Sequence, residues 1–259
     1  MFDWTIYLNA GLAMLVFALA GWVLSLIKKD VSIVDSMWSL MILLAGTVFF
    51  LTTTDNSPRR TLAFILLAAW AIRLSAHITW AHWGDEEDYR YQRIRANNEP
   101  NFTFKSIYIV FGLQAFLGWL VALPLMATST SDVPLGWLDY IGVALWLCGM
   151  FFESVGDYQM ARFKADPDSK GKVYDQGLWR YTRHPNYFGE CVIWWGFFLI
   201  ALSAGGWWSV LSPLLMTFLL LKVSGVAMLE QDIGERRPAY AQYIKQTNAF
   251  IPWFPRRAS

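Results

Sequence analysis

The chain has 259 residues, is 56% hydrophobic and 16% charged, and has a mean hydropathy of +0.33. A water-soluble domain carries about a quarter charged residues, so that class is excluded. A net charge of +1 gives no electrostatic case for a nucleic-acid partner.

The apolar residues fall into blocks of about 20, each long enough to cross a hydrocarbon core of roughly 30 Å. The expected fold is all-α, a polytopic membrane bundle of about seven helices in a single transmembrane domain over 1–259. In chain order the helices are predicted at 5–27, 31–53, 61–82, 105–127, 136–161, 187–204 and 206–228. The first has no basic lead and no small-residue cleavage motif before Lys28, so it reads as retained rather than as a signal peptide. The second carries Asp35 and, three residues on, Trp38. The third carries Arg73 and His77, four apart, and is followed by the run Asp85 to Arg95, whose alternating charge predicts a solvated or interfacial helix. Pro124 and Pro213 are expected to kink the helices that hold them. The fifth helix has Glu153 and Asp157 four apart, and the sixth has Asn186 and Glu190 four apart. Ala204-Gly205-Gly206 is a tight turn between the last two helices. The tail, with Ile251-Pro252-Trp253-Phe254-Pro255, is too short and polar to cross and suits the membrane interface or a lid. There is no internal repeat, which disfavours a transporter built on inverted repeats.

Lys and Arg set the orientation. Seventeen of the 21 fall on one side: Lys28 and Lys29; Arg90, Arg93, Arg95 and Lys105; a basic loop from Arg162 to Arg183; and Arg236, Arg237, Lys245, Arg256 and Arg257. Only Arg59 and Arg60 fall on the other. The positive-inside rule then puts the N-terminus outside and the C-terminus in the cytoplasm.

Charged side chains facing lipid cost a few kcal/mol each on insertion scales. Pairs four residues apart share a helix face, so the lower-energy arrangement turns those faces inward around a cavity. Most of these polar residues lie towards the cytoplasmic ends of their helices, so the cavity is expected to open to the cytoplasm. The basic loop beside Asn186 and Glu190 suits lipid headgroups or the phosphates of a soluble cofactor. No GxGxxG or Walker pattern is present. Cys148 and Cys191 lie inside apolar segments, and the three histidines do not cluster with them, so no metal site is expected.

Gly177-Leu178-Trp179, then Arg183-His184-Pro185-Asn186-Tyr187-Phe188-Gly189-Glu190, and Ile251-Pro252-Trp253 near the end together resemble the steroid 5-alpha-reductase-like family. The likeness is closer to its uncharacterised bacterial branch, whose motifs Asp35-Ser36-Met37-Trp38 and Glu87-Asp88-Tyr89-Arg90-Tyr91 also resemble. It is strongest from Glu153 to Trp253. The resemblance implies a reductase of the bacterial inner membrane that takes hydride from NADPH on the cytoplasmic side and passes it to a lipophilic unsaturated carbonyl. The N-terminal helices would face the substrate, and 150–259 would be the cofactor-binding half. On matching positions, Asn186 meets the nicotinamide end, Glu190 helps hold it and Asp157 takes the adenosine portion. Lys164 and Lys172 stand where phosphate contacts are expected, with Arg180 and Arg183 at the rim. Glu153, His184, Tyr187 and Tyr243 complete the cofactor set. The family's Gln-Glu pair and its third-helix Tyr are missing here. The group that polarises the substrate carbonyl is therefore sought in Asp35, Arg73 or His77.

A second resemblance is to isoprenylcysteine and phospholipid methyltransferases, which share Arg-His-Pro-X-Tyr-X-Gly and an acidic residue after the last helix, here Glu230. It implies S-adenosylmethionine in place of NADPH. That sulfonium has no phosphates and little use for the basic loop, whereas NADPH has three. The expected partners are membrane lipid and a lipophilic substrate, with no nucleic acid, and the sequence carries no signal from which a protein partner is inferred.

Overall fold

A computed structural model describes residues 2–53, 57–223, 225–230 and 238–256. Of the basic residues counted above, Arg236, Arg237 and Arg257 lie outside the described residues. Among the described residues there are helices and no strand.

At several helix starts the sequence provides for the free N–H groups. Asp3 caps α1 (Trp4–Lys28), its carboxylate accepting from the amides of Thr5 (2.9 Å) and Ile6 (3.1 Å). α2 is Ile33–Thr52, and α3 (Pro58–Ala81) opens on a proline that needs no partner for its nitrogen. α4 is Tyr89–Asn98, capped by Asp88. α5 is Phe102–Val121, α6 Leu123–Ser129, α7 Trp137–Ala165 and α8 Pro185–Ser203. α9 spans Trp207–Val223, α10 Val226–Glu230 and α11 Pro238–Gln246.

Six of these (α1, α2, α3, α5, α7 and α8) are long and apolar enough to cross a membrane. Their outward side chains are apolar: Leu8, Leu12, Leu19 and Ile27 on α1 are all exposed. That surface is unfavourable in water and suited to lipid.

Two predicted segments are less regular than expected. The fourth, 105–127, divides at Ala122, where Pro124 starts the short and wholly buried α6. The seventh is shorter than 206–228. It comprises a 3-10 turn at Trp207–Val210, an α-helix at Leu211–Phe218 and a π-turn at Leu219–Val223.

The chain divides into two compact units. The first comprises Met1–Gly136 with Ile200–Leu211, and the second Trp137–Leu199 with Ser212–Ser259. In the first unit α1, α2, α3 and α5 pack around Met14, Ile42, Phe49, Leu67 and Trp70, all buried. Tyr7 stacks on Trp119 at 4.3 Å. The pair exchange hydrogen bonds, Tyr7 O–H to the Trp119 carbonyl (3.0 Å) and Trp119 Nε1–H to the Tyr7 carbonyl (2.9 Å). Arg59 is fully buried, and its guanidinium donates to the carbonyls of Val133 (2.7 Å) and Pro134 (2.9 Å) and to the hydroxyls of Ser131 and Ser203. A buried charge is tolerable only when satisfied in this way.

In the second unit α7 and α8 meet backbone to backbone. Glycines recur every seven residues on α7 (Gly142, Gly149, Gly156) and on α8 (Gly189, Gly196). A methyl group at Gly149 would lie 2.5 Å from the Gly189 carbonyl oxygen, and one at Gly196 would lie 2.7 Å from that of Gly142. Small residues allow this approach where no hydrophobic effect drives helices together. The register that results is what places the polar residues described next.

Candidate functional site

The second unit holds a loop, a tail and two helix ends fastened to one another. Gly177 adopts a left-handed φ of 55°, and its missing side chain leaves room for Gln159, whose Oε1 accepts from the Leu178 amide (3.0 Å). Trp179 is buried, with its indole N–H on the Gly156 carbonyl (3.0 Å). Tyr243 of α11 donates to the Trp179 carbonyl. The tail then runs back along the loop. The Arg183 amide donates to the Asn248 carbonyl (2.9 Å), the Thr182 hydroxyl to that of Phe250 (2.8 Å), and the Trp253 amide to that of Tyr181 (2.9 Å).

Arg183 is the centre of this arrangement. Its Nε and Nη2 grip both oxygens of Glu230 at 2.7 Å, and Nη1 donates to the carbonyls of Ile244 and Thr247. His184 Nε2 lies 2.9 Å from the same carboxylate. Burial alone would raise the pKa of Glu230, but the hydrogen bonds from Arg183 and His184 outweigh it and hold the carboxyl at about 2. The geometry therefore gives Arg183 and His184 a fastening task. Tyr243 shares it; burial pushes its phenol well above the ordinary range, so it stays a donor.

Inside this fastening the first turns of α8 present Asn186, Tyr187 and Glu190. Asn186 is half-buried, its Oδ1 accepting from the Tyr187 amide (3.1 Å), and Tyr187 stacks flat on the His184 ring at 5.5 Å. Glu190 is 6% exposed and accepts from Trp194 Nε1 at 2.9 Å, one turn along. Glu153 (2% exposed) and Asp157 are buried on α7. A methyl group at Gly189 would fall 2.5 Å from the Glu153 amide nitrogen, so the glycine contact brings these acidic positions to one seam. Lys164, Lys172 and Arg180 are exposed, with long side chains open to an anion. Sequence reasoning had noted Glu230 only for its place after the last helix. Its carboxylate is 47 residues from Arg183 in sequence, and no local spacing announces that contact.

The first unit carries a second polar cluster. Asp35, near the start of α2, accepts from Tyr91 O–H (2.5 Å) and Arg90 Nη2 (2.7 Å) on α4. Arg90 also holds Asp88 (3.0 Å), while Glu87 pairs with Arg95 (2.7 Å) and accepts from the Val31 amide (3.0 Å). The run expected to be a solvated or interfacial helix is helical over α4 and is bound to the start of α2, with Tyr91 buried. Tyr91 and Arg95, four apart on α4, share one face, and Glu87 precedes the helix by two residues. Burial first, and then the neighbouring Asp35 charge, push the Tyr91 phenol well above its ordinary pKa, so it remains protonated at neutral pH. Arg73 and His77 are half-buried on α3, His77 lying against Trp80 at 6.3 Å. Among the described residues no cluster of three or more His, Cys, Asp or Glu is arranged to hold a metal.

Residues 21–247 match the family described as protein of unknown function (DUF1295). The chain belongs to the DUF1295 family. This DUF1295 chain is similar to an uncharacterized protein of Schizosaccharomyces pombe, 26% identical over 263 residues, which takes in 89% of this chain and 75% of that protein. It is similar in part to 3-oxo-5-alpha-steroid 4-dehydrogenase 1 of Homo sapiens, 29% identical over 113 residues, covering 44% of this chain and 40% of that enzyme. The Bos taurus enzyme of the same name is 36% identical over 66 residues, 26% of each chain. The chain thus matches less than half the length of either dehydrogenase. No solved structure matches.

Proposed function

We propose that this DUF1295 protein is an NADPH-dependent membrane reductase of a lipophilic unsaturated carbonyl compound, with the cofactor held by 150–259. The observation that carries the reading is the seam of Asn186, Glu190, Glu153 and Asp157 at the α7–α8 contact, with the exposed cations Lys164, Lys172 and Arg180 on the stretch of chain between Asp157 and Asn186. The partial likeness to two 3-oxo-5-alpha-steroid 4-dehydrogenases supports the reaction class.

The residues fit the cofactor in kind. Its phosphates call for accessible cations, and Lys164, Lys172 and Arg180 are exposed; Arg183 is already engaged by Glu230. Its carboxamide and ribose hydroxyls call for groups that both donate and accept, such as Asn186, and for acceptors such as Glu190 and Asp157. When bound, the cofactor supplies the hydride.

On the substrate side, the group that polarises the carbonyl is sought in Asp35, Arg73 or His77. Tyr91 spends its one O–H on Asp35, which Arg90 also grips, and so positions that carboxyl. In this reading the protein lies in a bacterial inner membrane with the site facing the cytoplasm, as the Lys and Arg distribution supports.

The relatives reported above give the methyltransferase reading no support, and S-adenosylmethionine is the natural control. Calorimetric titration of the detergent-purified protein is expected to show binding of NADPH and none of S-adenosylmethionine. Binding of S-adenosylmethionine with none of NADPH would overturn the proposal.

A further inference from the structure

The second unit has an apolar cleft of about 290 Å³, lined by Phe152, Leu178, Tyr181, Pro252, Trp253 and Phe254. It is just below the roughly 300–1,000 Å³ of pockets that enclose a small molecule, and far too small for a dinucleotide. Its lip is exposed: Trp253 is 66% and Phe254 75% open, with Ile251 beside them. Aromatic side chains left in this state on a floppy end would mean little. Here the backbone under them is fastened at Arg183, Thr182 and Tyr181 by the bonds already described, and again where the Arg256 amide donates to the Gln246 carbonyl (2.8 Å). The apolar surface is therefore held in one place.

Its position is at the edge of the bilayer. Tyr181 precedes by four residues the membrane-crossing helix that opens at Pro185. One turn inside that helix, Phe188 packs edge-on against both Phe152 (5.1 Å) and Phe250 (5.9 Å). The cleft thus straddles the end of α8. Two exposed cations are near its lip along the chain: Arg256 follows Phe254 by two residues, and its amide bond to Gln246 brings its backbone next to the residue after Lys245. α11 buries Tyr243 and turns Ala241, Gln242 and Lys245 outward, as a helix lying on a membrane surface does.

We propose that this cleft binds one acyl chain of an anionic phospholipid, whose phosphate is received by Lys245 and Arg256. Apolar walls, an aromatic lip at the span's end and a neighbouring pair of cations are the features such a lipid meets at the headgroup boundary. The site is separate from the cofactor seam and does not rest on the reductase reading.

Native mass spectrometry of the full chain, loaded with phosphatidylglycerol or phosphatidylcholine in detergent, tests it. The wild type is expected to hold one phosphatidylglycerol in preference to phosphatidylcholine. Leu178→Trp, which fills the cleft, and Trp253→Ser/Phe254→Ser, which removes its lip, should each weaken retention at least about tenfold. Lys245→Gln/Arg256→Gln should keep lipid but lose up to about 25-fold in preference for phosphatidylglycerol. This last variant changes only surface side chains, so it tests the proposal whatever the cleft substitutions do to folding. Equal retention of the two lipids by the wild type would overturn the proposal, as would unchanged preference in the charge variant. So would a concentration-dependent dimer in sedimentation that vanishes with the lip while lipid retention does not change; that result would assign the surface to a second copy.

Discussion

Glu230 shows how much of the candidate site depends on one carboxylate. It satisfies Arg183 and His184 at once, and Arg183 in turn holds the Ile244 and Thr247 carbonyls of the tail. Removing it leaves a buried guanidinium without its counter-charge, so Glu230→Gln should destabilise the protein by about 1–3 kcal/mol at neutral pH. The pKa lies at about 2 in the fold against an ordinary value of 4.5, so the stabilisation is complete above about pH 4.5 and is lost as the pH falls toward 2. Unfolding midpoints of the two proteins should therefore differ at pH 7, draw closer below about pH 4.5 and converge toward pH 2; a constant gap would contradict the assigned ionisation. Asn186 and Glu190 belong to a different class, since they border the seam rather than fasten it. Asn186→Ala should weaken NADPH binding by about 1–3 kcal/mol with little change in unfolding midpoint, as read by titration. Glu190→Ala should weaken binding by a similar amount and also lower the midpoint, because it takes the carboxylate acceptor from the buried Trp194 Nε1–H. These two residues were legible in sequence because a polar pair four apart entering an apolar run is a local pattern. Glu230 on Arg183, and Tyr91 on Asp35 across 56 residues, were not, because periodicity carries no information about which distant group meets a side chain.

Among elements, the α7–α8 pair determines where the seam lies. Its glycines form two sevenfold series that the sequence displays but that helix propensity alone reads as weakness. The structure supplies the reason: any side chain at Gly149, Gly189 or Gly196 would intrude on opposing backbone at 2.5–2.7 Å. Gly189→Val should push the helices apart and cost about 1–3 kcal/mol or more, because the opposing atoms are main chain and have no rotamer to yield. NADPH affinity should fall along with stability, in contrast to Asn186→Ala, where affinity alone falls. A Gly189→Val protein with wild-type midpoint and affinity would mean that the contact does not set the site. In α4 two of the three charges, Arg90 and Arg95, are spent on ion pairs, Arg90 with Asp35 of α2 and with the cap Asp88, and Arg95 with Glu87 just before the helix. Charge composition predicted the helix correctly; only its partners decided which face it buries.

At the scale of the whole molecule, the decisive element is the weakest one, α9. Hydropathy made the long helices legible from end to end, and six of the seven predicted spans have the required length and composition. With six crossings the two ends of the bundle lie on the same side; with seven they lie on opposite sides. The Lys and Arg distribution predicts opposite sides, and that expectation calls for Trp207–Val223 to cross. At 1.5 Å per residue its 17 residues reach only about 25 Å, somewhat less than a core of roughly 30 Å. Two features offset the shortfall. Trp207, at one end, is exposed and suited to the interface, and Lys222, at the other, can extend its ammonium toward the headgroups while its stem stays among lipid. A fluorescent protein fused after Ser259 should therefore fluoresce in the cytoplasm, and a periplasmic phosphatase fused at the same place should be inactive. The converse result would mean that α9 turns back without crossing. The basic loop from Arg162 to Arg183 would then still face the cytoplasm, because it precedes α8, but the tail that fastens to it could not reach it from the other side. The hydrogen bonds from Arg183, Thr182 and Trp253 join loop and tail on one side of the bundle, an arrangement that a crossing α9 would satisfy.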